Sequence, residues 1–211
     1  MSLAMFDPGC RRCPRLAGFL DSVKADYPDY HCRPVAPFGA KHPRVLVVGL
    51  APGMHGANAT GRPFTGDHAG ILLYQTLHKF GFANRAQSVS ADDGLRLKKC
   101  AITNAVKCLP PQNKPVGKEI NTCRAFLAEE LQALKEGSVV IALGSIAHKS
   151  IVAALGVAQK DAPFAHGAEH RLPRELTLID SYHCSRYNTQ TRRLTTEMFE
   201  SVFARAKVLA G

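Results

Sequence analysis

Four cysteines of this sequence fall into two pairs suited to metal ligation. Cys10-Arg11-Arg12-Cys13 is a CxxC, and Cys108 and Cys123 stand with 14 residues between them, around a proline-rich stretch. Four thiolates hold either zinc or an iron–sulfur cluster, and spacing alone does not choose between them. Cys32, Cys100 and Cys184 read instead as buried thiols, the common fate of free cysteine. A second kind of chemistry gathers where apolar runs end. Gly49 to Asp67 is a glycine-rich stretch, with glycines at 49, 53, 56, 61 and 66, that lets backbone approach a ligand closely. It has neither the Gly-Lys-Ser/Thr of a nucleotide loop nor a GxGxxG. Its length exceeds the ~2–6 residues of an ordinary strand-to-helix connection.

Three side chains around it invite specific roles. Phe64 is a candidate stacking platform for a base, a contact worth ~1–3 kcal/mol. Asn104 closes the run Ala101 to Asn104, and its carboxamide offers an acceptor and donors in one plane, as base reading requires. His183 opens His-Cys-Ser-Arg-Tyr-Asn at the end of another run, with Ser185, Arg186 and Asn188 close behind.

These residues need a scaffold. Arg44–Gly49, Ala101–Val106, Ser138–Leu143 and Leu176–Ser181 are continuous apolar runs, the pattern of strands covered on both faces. Helical stretches are expected at Ile71–Phe80, Gly117–Lys135, Ile146–Leu155 and Thr195–Leu209. Strands alternating with helices imply parallel pairing in an α/β sandwich, with ligands bound beyond the carboxyl ends of the strands. Gln87–Gly94 and Gln159–Pro173 read as polar connections. The 211 residues suffice for one hydrophobic core, so residues 1–211 are expected to form a single domain. No apolar run reaches the ~20 residues of a membrane span, and Met1 to Phe6 is too short for a signal peptide. A cytoplasmic monomer is expected.

Charge points to the partner. The 27 Lys and Arg exceed the 17 Asp and Glu, giving a formal +10. Such excess favours a polyanion, because phosphate contacts release counterions. Residues 96–118 carry Arg96, Lys98, Lys99, Lys107, Lys114 and Lys118 with no acid among them, a candidate phosphate track.

Taken together, GLAPGMHGANATGRPFTGD, ITNAVKC and SYHCSRYN resemble the motifs of the uracil-DNA glycosylase superfamily, most closely its family 5 (type b) iron–sulfur enzymes. The likeness runs from Cys10 to about Thr195. It implies an α/β/α three-layer sandwich around a four-stranded parallel sheet, with an iron–sulfur-bound N-terminal segment. It implies a [4Fe-4S] cluster on Cys10, Cys13, Cys108 and Cys123, with a structural role. It further implies a monofunctional enzyme that flips a deaminated nucleotide out of DNA and hydrolyses its N-glycosidic bond. Uracil is the expected base, with hypoxanthine and xanthine beside it, and the bacterial nucleoid the expected setting.

By the same resemblance, Phe64 stacks on the base and Asn104 pairs with it. His183 stabilises charge on the leaving base, and Asp67 positions water or the sugar cation. Gly53 and His55 contact the base from the glycine-rich loop. Ser185, Arg186, Tyr187 and Asn188 enter the minor groove. The sequence departs from relatives in reading His183-Cys184-Ser185 where they carry His-Pro-Ser, and Leu50 stands where most other families place a water-activating residue. The alternative reading is a non-catalytic iron–sulfur or zinc protein that binds damaged DNA.

Overall fold

Six strands build one sheet in the computed structural model, which describes residues 6–211. They are β1 (Phe38–Gly39), β2 (Val45–Gly49), β3 (Cys100–Asn104), β4 (Val139–Leu143), β5 (Glu169–Arg171) and β6 (Thr177–Ser181). All but Phe6 of the segment considered above as a signal peptide lies outside the described residues. The spatial order is β1-β3-β2-β4-β6-β5. The expected four apolar runs form its parallel centre, paired β3·β2, β2·β4 and β4·β6. The sheet is nevertheless mixed and six-stranded, because short β1 and β5 add antiparallel edges.

The central strands are buried almost end to end, which is why their sequences do not alternate. Val45, Val47, Ile102, Ile141 and Ile179 face one core, completed by α3 (His68–Lys79) and α7 (Thr196–Ala210). Leu46, Val48, Ala101, Val140 and Leu178 face the other, completed by α4 (Gly117–Gln132) and α5 (Ser145–Ala154). The result is helix, sheet and helix in three layers. Asp67 caps α3 by accepting from the Gly70 amide at 2.8 Å, and Thr195 caps α7 through Met198 at 3.2 Å.

Three more helices were not among those expected. The first, α1 (Pro14–Asp26), begins with proline in its first turn and buries Leu16, Leu20 and Val23 along one face. The second, α2 (Ala57–Thr60), is a single turn within the glycine-rich stretch. The third, α6 (Arg186–Gln190), turns most of the expected groove-entering loop into a short helix capped by Ser185. No helix among the described residues is long and apolar enough to cross a membrane.

Candidate active site

The carboxyl ends of β2 and β3 and the segment after β6 open onto one cleft of about 350 Å³. Gly53, Phe64, Asp67, Asn104, His183, Ser185 and Arg186 line it. Seven residues drawn from three separate stretches of sequence therefore converge. His55 does not join them. The turn into α2 carries it outward, where its Nδ1 meets the Tyr30 hydroxyl at 2.9 Å and its ring packs edge-on against Tyr27. Tyr187 is 70% exposed and lies outside the lining. Asn188 does not line the cleft but donates from Nδ2 to the His183 carbonyl at 2.8 Å, fixing the backbone that carries the imidazole.

Glycine at the end of β2 makes the inner wall possible. A methyl group built on Gly49 would sit 2.5 Å from both Asn104 Oδ1 and Phe64 Cζ. Phe64 itself adopts φ of +55°, a left-handed conformation unusual for an aromatic residue. Overpacking of this kind costs about 1–3 kcal/mol. Gly49→Ala is therefore expected to lower the urea midpoint with an unchanged slope. A midpoint equal to the parent's would mean that Phe64 and Asn104 are free to move.

Asn104 is 3% exposed, and its Oδ1 finds no hydrogen-bond donor within the protein. A buried acceptor left alone costs about 1–3 kcal/mol, so this one is poised for a ligand's donor. The Phe64 and His183 rings stand 6.0 Å apart at 29°, as two walls of the cleft. Burial lowers the His183 pKa to about 4, so the imidazole is neutral near pH 7. Burial raises Asp67 above the usual carboxylate range, against the opposing pull of the Gly70 and Ala69 amides. Its Oδ2 faces the Gly53–Gly56 turn, and a methyl group on Gly56 would come within 2.7 Å of it.

Two polar lining residues were not anticipated. His68 bridges from α3 to α6 through Thr189 Oγ1 at 3.1 Å, holding two walls of the cleft together. Its place beside Asp67 was the available signal. Asn113 reaches the cleft from a turn in which Gln112 and Asn113 both have positive φ, with no motif to mark it.

Cys10, Cys13, Cys108 and Cys123 share one apolar cluster with Leu16, Val106 and Phe126. Arg15 of α1 forks onto Glu119 of α4 with two 2.8 Å bonds, clamping the N-terminal segment to the Cys123 helix. Burial pushes the Cys108 thiol up to about 12, and the neighbouring cysteines reinforce the shift. The Lys107 amide donates to Cys123 Sγ at 3.3 Å. Among the described residues, no three of these sulfurs lie within 4.8 Å of one another. One zinc ion with bonds of ~2.3 Å would draw them to ~3.8 Å. Cys32, Cys100 and Cys184 are buried thiols outside this set.

The acid-free segment is only partly a surface. Arg96, Lys98, Lys99, Lys114 and Lys118 are exposed. Lys107 is not: it is 1% exposed and ion-paired with Glu130 at 2.6 Å, so it leaves the candidate phosphate track.

A three-layer α/β sandwich with a cleft at the carboxyl ends of its parallel central strands defines a class, and comparison with known proteins gives the family. The uracil DNA glycosylase superfamily profile matches residues 36–207, and the chain belongs to that superfamily. It is 46% identical over 207 residues to the type-5 uracil-DNA glycosylase of Thermus thermophilus, covering 96% of this chain and 94% of the other. It is 42% identical over 206 residues to that of Pyrobaculum aerophilum, covering 96% and 89%. The fold also resembles the crystal structure of wild-type Pedobacter heparinus SMUG2, with a TM-score of 0.50 at 12% identity, covering 100% of this chain and 93% of that one.

Proposed function

We propose that this protein excises uracil from DNA by hydrolysing the N-glycosidic bond of a flipped nucleotide. The observation that carries the reading is the buried, unpartnered Asn104 Oδ1 in the cleft shared by Phe64, Asp67 and His183. A base inside a duplex is out of reach, so the nucleotide must be extruded into that cleft. Phe64 stacks on the base. Asn104 Oδ1 accepts from uracil N3–H, and its amide donates to O4. Cytosine presents an acceptor at N3 and a donor at N4, so both contacts become mismatches. One such bidentate pair discriminates by ~1–3 kcal/mol.

As the bond lengthens, negative charge grows on the base and the sugar turns oxocarbenium-like. Neutral His183 donates to O2 and holds the charge, as donors aimed at a developing oxyanion do. Asp67 positions water or stabilises the sugar cation, with Gly53 alongside. Ser185 and Arg186 meet the backbone beside the flipped nucleotide, and Tyr187 enters the groove, a role its exposure at the start of α6 supports. Hypoxanthine and xanthine are proposed as further substrates.

The four cysteines are proposed to hold a [4Fe-4S] cluster. Their shared apolar cluster and the amide donor on Cys123 support that assignment. When bound, the cluster supplies a covalent tie between the N-terminal segment and the Cys108–Cys123 loop, with no part in bond cleavage.

Single-turnover release from duplexes containing uracil, hypoxanthine or xanthine tests the reading, with cytosine as control. Uracil release is expected. No release from any of them, by protein that retains iron, would leave a non-catalytic damage-binding role. Asn104→Asp is expected to erode uracil-over-cytosine selectivity about tenfold, the low end of a bidentate contact. Unchanged discrimination would remove Asn104 from base reading.

A further inference from the structure

The geometry points to a second metal site, held by His148, His170 and Asp180, that takes a divalent cation of the zinc class. The three side chains come from three elements, α5, β5 and β6, and meet behind the sheet's edge. Their ligand atoms all lie within 4.8 Å of one another. The side chains of His148, His170 and Asp180 are 2%, 13% and 0% exposed. The inference stands apart from the base-excision reading.

Hydrogen-bond accounting carries the argument. His148 Nε2 lies 2.8 Å from the Ala162 carbonyl, which can only accept. A ring proton therefore sits on Nε2, and in a ring carrying that proton alone Nδ1 turns its lone pair toward Asp180 Oδ1, 2.7 Å away. Two acceptors then face each other in a buried place. A second ring proton would satisfy that contact but not its neighbour. Asp180 Oδ2 and His170 Nε2 stand 3.4 Å apart, and neither makes a hydrogen bond. Orphaned polar atoms this deep are uncommon in a folded protein. One cation bound by His148 Nδ1, His170 Nε2 and Asp180 satisfies the whole group.

The surroundings match what such an ion needs. A metal-ligating imidazole usually gives its other N–H to a carbonyl or carboxylate, and Ala162 receives it here. Zinc bonds of ~2.0–2.2 Å to nitrogen and oxygen imply ligand atoms ~3.3 Å apart. The His170–Asp180 separation of 3.4 Å already fits. The His148–Asp180 pair has to open by about half an ångström to reach the same spacing. Two imidazoles and one carboxylate suit a borderline-soft divalent ion, with water as a fourth ligand. The Phe164 ring lies edge-on, 5.6 Å from His148, and shields one side. Such an ion would fasten α5 and the β5 edge to β6, three residues before His183.

The test uses the iron-loaded protein, incubated with Zn2+ and freed of excess. Zinc-edge X-ray absorption is needed because cysteines also take zinc. The expected result is one zinc per chain with nitrogen and oxygen neighbours, two of them imidazole. At Zn2+ a hundredfold above Kd, the melting midpoint should rise by ~5–10 °C. His170→Phe, or His170→Gln if the first does not fold, should lose both the zinc and the shift while keeping its iron. Zinc that is absent, bound by sulfur alone, or retained by the His170 variant would overturn the site.

Discussion

His183→Ala is expected to slow single-turnover uracil release by ~10²–10³-fold, the loss typical of one donor aimed at a developing oxyanion. Affinity for uracil-containing duplex should change by no more than a few-fold, because the imidazole acts on charge that appears only as the bond breaks. A loss confined to affinity would assign His183 to binding instead. The protonation state makes a separate, checkable statement. Burial holds the His183 pKa at about 4, against 6.5 in an unfolded chain. The ring is then neutral in the fold, and its NMR signals should stay constant from pH 8 down to about 5. The sign for stability follows. An unfolded chain binds this proton below about 6.5, whereas the folded one binds it only near 4. The group's contribution is full above the higher value and is lost as pH falls between the two. A titration midpoint near 6.5 in the folded protein would mean that the ring is solvated in the cleft rather than buried.

The parallel heart of the sheet was legible because burial on both faces leaves a strand no polar side to show. Arg44–Gly49 and Ser138–Leu143 read as strands for that reason alone, and form β2 and β4. The edge strands were not legible. β1 has two residues and β5 three, too short for any periodicity to register. Helix α1 did carry a signal, in Pro14 and the Leu16, Leu20, Val23 spacing, but the adjoining CxxC drew the reading toward ligation. Residues at strand ends could be grouped in advance, since the topology sends those ends to one side. The direction of His55 could not be read, because a glycine-rich turn gives no sign of which way it faces. Lys107 misled for a related reason. Its neighbours in sequence lack acids, and its partner Glu130 lies on the following helix. A local charge run reports composition, whereas the pairing that decides burial is set by the packing of α4 against β3.

That pairing yields the largest expected effect on stability. Lys107 and Glu130 are 1% and 2% exposed at their side chains and meet at 2.6 Å. Lys107 Nζ also donates to Thr103 Oγ1 at 2.5 Å and to the Asn104 carbonyl at 2.9 Å. Its own amide donates to Cys123 Sγ. One residue thus touches the strand end that carries Asn104 and the cysteine cluster at once. Lys107→Ala strands a buried carboxylate, a change that destabilises by about 3–5 kcal/mol. For a chain of this size that is a drop of ~6–20 °C in melting midpoint. Removing both charges should behave differently, because an apolar pair of similar volume escapes the desolvation penalty. Lys107→Met combined with Glu130→Leu is therefore expected to recover most of the loss, and the double-mutant cycle should show strong coupling. The paired variant separates the ion pair's two roles. If Nζ also holds the Asn104 carbonyl in register, its uracil selectivity should stay below the parent's even where its stability returns. Full selectivity in that variant would make Lys107 a charge partner of Glu130 and nothing more.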